Sequence, residues 1–156
     1  MGTRACIGMA TWFALFPVVT PVSGADFVGP VGQERNIEAR SIEKILRENP
    51  LAPGENVKPI PLHRSAHTAH LLVQVRGREP AHYHADSDIT VLMVRGHGSI
   101  HVGEQKLPAK TGDTLFVARG VVHYFVNEGK EPAVALVIYS PPPGPNDRVL
   151  VEPKSR

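Results

Sequence analysis

Cysteine is almost absent from this sequence, since Cys6 is the only one among 156 residues. It lies in an N-terminal segment that has the features of a cleaved leader, so we expect the mature chain to have no thiol. Such a chain cannot form a disulfide, and it cannot use a thiolate as nucleophile or as metal ligand. Its chemistry must therefore come from histidine, from carboxylates or from a bound metal ion.

The sequence also lacks any cluster of charges of one sign. Seventeen Lys and Arg residues oppose fifteen Asp and Glu residues, and the basic residues are scattered singly along the chain. A protein that binds nucleic acid normally concentrates its basic side chains on one face or stripe. We therefore expect no nucleic-acid partner.

No apolar run is long enough for a comfortable membrane span. The most apolar one, Ala5 to Val19, is broken by Pro17. It follows a basic amino end, and Ser23, Gly24 and Ala25 place small residues just before Asp26. This is the anatomy of a secretory signal peptide, with an uncleaved N-terminal anchor as the alternative. We expect residues 1–25 to be removed, leaving a periplasmic or secreted protein without stable membrane association.

Helix-breaking residues are plentiful, and they divide the chain into short elements. Fourteen Gly and fifteen Pro are spread along it, which marks many turns. One short helix is predicted from Ser41 to Asn49, capped by Ser41 and stopped by Pro50. It belongs to an N-terminal arm, residues 26–66, that continues into a Pro-containing linker.

From about His67 onward the pattern is typical of β-strands. Short apolar and β-branched segments alternate with glycine-containing turns, which favours an all-β sandwich, jelly roll or barrel over residues 67–140. The predicted strands are His70–Arg76, Ile89–Val94, Ile100–Val102, Thr114–Val117, Val121–Val126 and Val134–Tyr139. The tail, residues 141–156, is rich in proline and is expected to lie extended on the surface.

Histidine is the residue whose distribution points to chemistry. His82 and His84 are two apart, so on an extended strand both imidazoles face the same side. This arrangement delivers two nitrogen donors to one metal ion. His123 follows a later strand and a turn containing Gly120, and a return hairpin would bring it back to the first pair. Periodicity alone does not decide whether that closure occurs.

Two motifs in these segments resemble those of the cupin family, in the family's order and over roughly Gly77 to Tyr139. The matching residues are His82, His84 and Gly96 in the first motif, and Gly112, Gly120, His123 and Asn127 in the second, with Ala118 where the family has proline. The resemblance implies an all-β double-stranded β-helix barrel, of jelly-roll type, with one short N-terminal helix. It also implies a metal ion inside, held by the motif histidines and an acidic residue.

The acidic ligand has no clear counterpart. Counting back from Gly96 places it on Ile89, and counting forward from His84 places it on Asp88. A shift of one residue in a strand turns a side chain to the other face. Two sites therefore stay open: three histidines with an oxygen of Asp88, or three histidines with water, which leaves positions free for substrate or dioxygen. Either site would hold one divalent transition metal ion (Fe, Mn, Zn, Ni or Cu).

The resemblance implies several functions for such a barrel. Cupins of this kind include dioxygenases, isomerases and decarboxylases, and the missing glutamate is similar to the situation in three-His oxygenases. The leading hypothesis is an exported, metal-binding cupin that acts on a small molecule as a dioxygenase-like oxidoreductase. The alternative is a barrel that binds a small molecule or a metal without turnover. No catalytic residue is assigned, and a homodimer is expected because dimers are common in the family.

Overall fold

The computed structural model describes residues 40–151, and the predicted signal peptide, 1–25, and the first part of the N-terminal arm, 26–39, lie outside this range. Within it, one helix, α1 (Ile42–Glu48), precedes ten strands. The strands are β1 (Val57–Arg64), β2 (Ala69–Val75), β3 (His82–His84), β4 (Asp88–Arg95), β5 (His97–Val102), β6 (Gln105–Lys110), β7 (Thr114–Val117), β8 (His123–Asn127), β9 (Ala133–Ser140) and β10 (Arg148–Leu150). No helix of residues 40–151 has the length and apolar character needed to cross a membrane.

The strands form two five-stranded antiparallel sheets. Their orders are β1-β2-β9-β4-β7 and β10-β3-β8-β5-β6, so neighbours in space come from distant parts of the chain. The main core cluster joins the two sheets, with Val73, Ile89 and Val137 from the first and Ile100 from the second. Alternation of apolar and polar residues along each strand turns one face of each sheet inward. The predicted all-β, jelly-roll fold is confirmed.

Helix α1 covers part of the first sheet. It begins after Ser41, whose Oγ accepts a hydrogen bond from the Lys44 backbone N–H at 3.4 Å, as expected of a helix cap. Its buried residue, Ile45, packs against Ile60 and Leu72 in a second apolar cluster. The predicted helix is thereby confirmed. It covers the outer face of the first sheet, which contributes most residues of the main core.

Three strands lie in segments where none was predicted. Strand β1 occupies the expected linker, β6 follows β5 as the return strand of a hairpin, and β10 occupies the expected proline-rich tail. All three are edge strands, where a missing backbone donor is tolerated, and β1 has a register shift just after Pro61. Strand β10 pairs with β3, so the tail contributes directly to the environment of His82 and His84.

Candidate metal centre

Three histidine side chains meet inside the barrel. His82 and His84 lie on β3 with Tyr83 between them, and His82 pairs across the sheet with His123 of β8. The side chains are buried, with exposed fractions of 4%, 3% and 4% for His82, His84 and His123. One possible ligand atom from each lies within 4.8 Å of those of the other two. The return of His123 to the His-x-His pair, which periodicity left open, is therefore present in the fold.

The orientation of each imidazole is fixed by a hydrogen bond at Nδ1. His82 Nδ1 lies 2.9 Å from the carbonyl oxygen of Pro80, and His123 Nδ1 lies 2.9 Å from that of Val121. His84 Nδ1 lies 2.7 Å from Oδ2 of Asp147. Because all three partners are acceptors, each Nδ1 must carry the proton and donate it. The three Nε2 atoms therefore keep free lone pairs, which is the tautomer that metal-binding histidines use.

The three rings are neutral at neutral pH. Burial lowers the pKa of His82 to about 3, and burial also lowers the pKa of His84 and of His123 below the ordinary value. The nearby positive charge of Arg148 acts in the same direction on each ring. A neutral imidazole is the form that binds a metal, so no proton has to be displaced from these nitrogens before an ion can bind.

Asp147 is the residue of the site for which the sequence carried no signal. It lies in the tail just before β10, and it is buried, with an exposed fraction of 1%. Its Oδ1 accepts hydrogen bonds from the backbone N–H groups of Asp86 and Ser87, at 2.8 Å and 2.9 Å. Burial raises its pKa, but these bonds and the one from His84 outweigh that effect and hold the pKa of Asp147 below its ordinary value. The carboxylate therefore stays charged, and it orients the ring of His84 by accepting the hydrogen bond from Nδ1.

Asp88, the predicted fourth ligand, is not brought to the histidines. It starts β4 next to Ile89, which is buried in the core, so Asp88 faces the other side of the sheet. Its carboxylate accepts hydrogen bonds from the Arg119 side chain, at 2.9 Å and 3.2 Å, and from the Arg119 backbone N–H at 2.9 Å. Within residues 40–151 the cluster of possible ligands contains the three histidines and no carboxylate. The arrangement with three histidines and free positions is the one that the structure supports.

The histidines face an internal cavity of about 70 Å³. Its wall is mostly aliphatic and aromatic, with residues such as Val75, Met93 and Phe125. Tyr139 also lies on the wall, with its ring centroid 5.0 Å from that of His84, and burial raises its pKa to about 12. Its phenol is therefore protonated and can donate a hydrogen bond inside the cavity.

Glu79 is the carboxyl group on the cavity wall, and sequence reasoning did not single it out. Two backbone hydrogen bonds hold it to Phe125: its N–H donates to the Phe125 carbonyl at 3.0 Å, and its Oε2 accepts from the Phe125 N–H at 3.1 Å. Burial raises the pKa of Glu79, although the bond from Phe125 and the charge of Arg148 act against this. A carboxyl group in these surroundings is suited to exchange a proton with a bound molecule.

The donor set fits a divalent transition metal ion. Three neutral imidazoles that converge on one space, with an orienting carboxylate behind one of them, are the chemistry that such ions select. No fourth protein ligand joins them in the described part of the chain, and three protein ligands with open positions are typical of catalytic rather than structural sites. These three buried histidines can therefore bind one metal ion.

Two other polar residues have structural partners. Asn127, the last residue of the second motif, donates from Nδ2 to the carbonyls of Arg76, Gly129 and Glu131, so it fixes a turn. Arg95 forms an ion pair with Glu43 of α1 at 2.6 Å.

The comparisons with known proteins agree with this geometry. The family model described as "Cupin domain" matches residues 69–139. An uncharacterized protein from Aquifex aeolicus (strain VF5) is 32% identical over 115 residues, which cover 74% of this chain and 93% of that protein. The crystal structure of TT1209 from Thermus thermophilus is 28% identical, with a TM-score of 0.59, and the match covers 69% of this chain and 100% of that one.

A fold-level match is found in an uncharacterized conserved protein with a double-stranded β-helix domain from Klebsiella pneumoniae subsp. pneumoniae MGH 78578. Its TM-score is 0.60 at 18% identity, and the match covers 78% of this chain and 100% of that one. The sheets and the three-histidine cluster thus define a β-barrel whose interior has the ligands to bind a metal ion. The chain belongs to the cupin superfamily.

Proposed function

We propose that this protein is an exported, metal-dependent enzyme that acts on a small molecule as a dioxygenase-like oxidoreductase. The observation that carries the proposal is the set of three buried, neutral histidines, whose free Nε2 atoms face an apolar cavity. A structural site would close the coordination sphere with a fourth ligand, and none joins the cluster among residues 40–151. A bound ion would supply dioxygen activation if it is Fe(II), or Lewis acidity toward a substrate oxygen.

The chain's own residues prepare the cavity for this role. The apolar wall excludes water and strengthens the electrostatic interactions inside. Tyr139 offers a hydrogen-bond donor, and Asp147 holds His84 with its Nε2 directed away from the carboxylate. The cavity of about 70 Å³ admits only the reacting part of a small molecule, because common ligand pockets measure roughly 300–1,000 Å³.

Glu79 favours a second candidate, a lyase or isomerase that works by proton transfer. Its carboxyl group lines the same cavity as the three histidines, and its raised pKa suits a group that alternates between acid and base. In that reaction Glu79 would take a proton from substrate carbon or oxygen and return it to another position. A barrel that binds a ligand without turnover is the remaining alternative.

The proposal of export rests on the N-terminal sequence. Residues 1–25 combine a basic end, an apolar run and small residues before Asp26. Fractionation of the producing cells, followed by intact mass measurement, should yield a chain that begins at Asp26 outside the cytoplasm. A full-length chain that stays with the membrane would favour the uncleaved anchor.

Metal analysis with matched histidine variants tests the site. The parent protein, a His82→Ala, His84→Ala variant and a His63→Ala, His70→Ala control are loaded separately with Fe(II), Mn(II), Ni(II), Cu(II) and Zn(II). His63 and His70 form a neighbouring ring pair, 5.8 Å apart, outside the cluster. We expect about one ion per chain in the parent and the control, and none in the site variant. A parent that retains no metal under any loading would refute the metalloenzyme proposal.

Oxygen uptake then separates the candidate reactions. The loaded parent is incubated with a panel of small organic acids, and dioxygen consumption is recorded beside product analysis. Uptake that depends on the metal supports the oxidoreductase, whereas substrate conversion without uptake, lost in Glu79→Gln, supports the lyase or isomerase. A metal-loaded protein that converts none of the panel supports the non-catalytic alternative.

A further inference from the structure

A second hollow adjoins the metal-binding cavity and has an arginine on its wall. The hollow measures about 260 Å³ and is lined by Val57, Pro59, Val73, Glu79, Pro80, His82, Tyr139 and Arg148. Four of these residues, namely Val73, Glu79, His82 and Tyr139, also line the inner cavity. Arg148 is exposed and the shared residues are not, so the hollow lies between the protein surface and the inner cavity, and we call it the entrance.

The guanidinium of Arg148 has no anionic partner within residues 40–151. Its Nη2 lies 3.4 Å from His82 Nδ1, but that nitrogen already donates its proton to Pro80 and cannot accept another. The adjacent carboxylate, Asp147, is engaged by His84 and by two backbone N–H groups. Arg95 and Arg119, in contrast, each pair with a carboxylate. Among the residues that the structure describes, Arg148 is therefore a cation whose donors are not engaged by a carboxylate.

The charge balance of the site calls for an anion. Arg148 lies close enough for its positive charge to act on all three histidines and on Glu79. A divalent ion on the histidines would add two positive charges. The carboxylate of Asp147 behind His84 and Glu79, the one carboxyl group among the described residues lining the two spaces, offset at most those two charges. A neutral ligand would therefore leave the positive charge of Arg148 uncompensated, whereas an anionic ligand offsets it.

We propose that the substrate is a small carboxylic acid whose carboxylate is bound by Arg148 at the entrance and whose remaining part passes Glu79 and Tyr139 into the cavity. The planar guanidinium fork matches a carboxylate with two parallel hydrogen bonds. A phosphate group normally gathers several cations, and Arg148 is the single cationic side chain on the wall of the hollow as described. The assignment names the substrate class of the enzyme proposed above and rests on that function.

Ligand binding by paired probes tests the assignment. L-lactate and its neutral amide, L-lactamide, have nearly the same shape and differ in the charge that Arg148 would recognise. Affinities are measured by NMR titration with metal-free and with Zn(II)-loaded protein, following the backbone N–H signals of β3 and β10, which the parent and every variant retain. The variants are Arg148→Gln and Arg148→Lys, and Arg95→Gln is the matched control on the other sheet. Inorganic phosphate is the third probe.

The expected result is a preference of at least tenfold for lactate over lactamide in the parent and in Arg95→Gln. Arg148→Gln should abolish this preference in the metal-free protein by weakening lactate alone, and Arg148→Lys should keep part of it. Equal affinity for both probes, or a preference that survives in Arg148→Gln, overturns the assignment. Phosphate binding tighter than lactate and lost in Arg148→Gln overturns the carboxylate class.

The two proposals fail in different ways. Failure to retain any metal refutes the metal-dependent enzyme, but the metal-free titration still decides whether Arg148 binds carboxylates. Normal metal retention without a preference for lactate refutes the substrate class and leaves the metal site intact. If Arg148→Gln does not fold, the side-chain Nε–H signal of Arg148 in the parent gives the decision: it should shift with lactate and not with lactamide, and an unshifted signal overturns the assignment.

Discussion

The Nδ1 atom of His84 lies 2.7 Å from Oδ2 of Asp147, a residue 63 positions further along the chain. Both side chains are buried. Because the pKa of His84 is lowered by burial and that of Asp147 is held low by its hydrogen bonds, this contact joins a neutral ring to a carboxylate. It fixes the tautomer and the direction of a proposed metal ligand, and it connects the tail to the chemistry of the barrel.

Replacement of Asp147 by asparagine should weaken metal binding without removing any ligand. Both oxygens of Asp147 accept hydrogen bonds, whereas asparagine has one acceptor oxygen and no charge, so the hold on His84 weakens and metal affinity should fall by about 10- to 100-fold. Competition titration against a chelator measures the change. Asp113→Asn is the matched control, because Asp113 is bound to Lys110 on the surface. Equal metal affinity in Asp147→Asn and the parent would contradict the orienting role.

Replacement of Asp88 by asparagine should leave metal binding unchanged. The carboxylate of Asp88 is bound to Arg119 and faces away from the cluster, so chelator competition should give an affinity within about twofold of the parent, since no ligand is removed. His84→Ala, measured in parallel, provides the response expected when a ligand is lost. A large loss of affinity in Asp88→Asn would restore Asp88 as the fourth ligand.

The metal-free protein should lose stability as the pH falls from about 6.5 toward 3. An unfolded histidine binds a proton near pH 6.5, whereas the pKa of His82 in the fold is about 3. Between these values the unfolded state binds more protons, so acidification favours unfolding. Each histidine that charges only on unfolding contributes about 1.4 kcal/mol per pH unit.

Denaturant titrations across this pH range, on the parent and on His82→Gln, isolate the contribution of the ring. The slope of unfolding free energy against pH should be smaller in the variant, because its amide does not titrate. Identical slopes in the parent and His82→Gln would show that the ring is solvated rather than buried.

Replacement of Glu79 by glutamine should raise stability at neutral pH. Because burial raises the pKa of Glu79 in the fold, its ionised form is less favourable there than in the unfolded chain. This cost grows as the pH rises from the unfolded value through the folded one, and glutamine removes it while keeping an acceptor for the Phe125 N–H. Thermal unfolding at neutral pH measures the gain, and Glu131→Gln on the surface serves as control. A lower melting temperature would indicate that the carboxylate is stabilised by contacts that glutamine cannot replace.

The part of the site that the sequence predicts is the part set by local geometry. His82 and His84 share a face because strand residues two apart always do, and the second motif supplied His123 through its resemblance to the cupin family. The helix from Ser41 was predictable for the same reason, since its cap and its stop are adjacent in sequence. These features depend on neighbouring residues only.

The parts that were missed depend on long-range pairing. Pro59 and Pro61 indicate a linker locally, yet the edge position of β1 tolerates both. Asp147 and Arg148 follow a run of prolines and carry no local signal, because only the pairing of β10 with β3 brings them to the histidines. Asp88 shows the converse: its spacing suggested a ligand, but the alternation that buries Ile89 turns Asp88 outward.

Asp147 and Arg148 both come after residue 139, where the segment matched by the family model ends. Asp147 orients the ring of His84 through a hydrogen bond at Nδ1, and its neighbour Arg148 lies at the entrance to the cavity. Evolution could therefore exchange a few residues of the tail and redirect both ligand choice and metal affinity, with all three histidines left in place. Two barrels with identical family motifs can therefore have different substrates. The residues responsible would lie in the C-terminal tail, outside the segment that a comparison of the motifs covers.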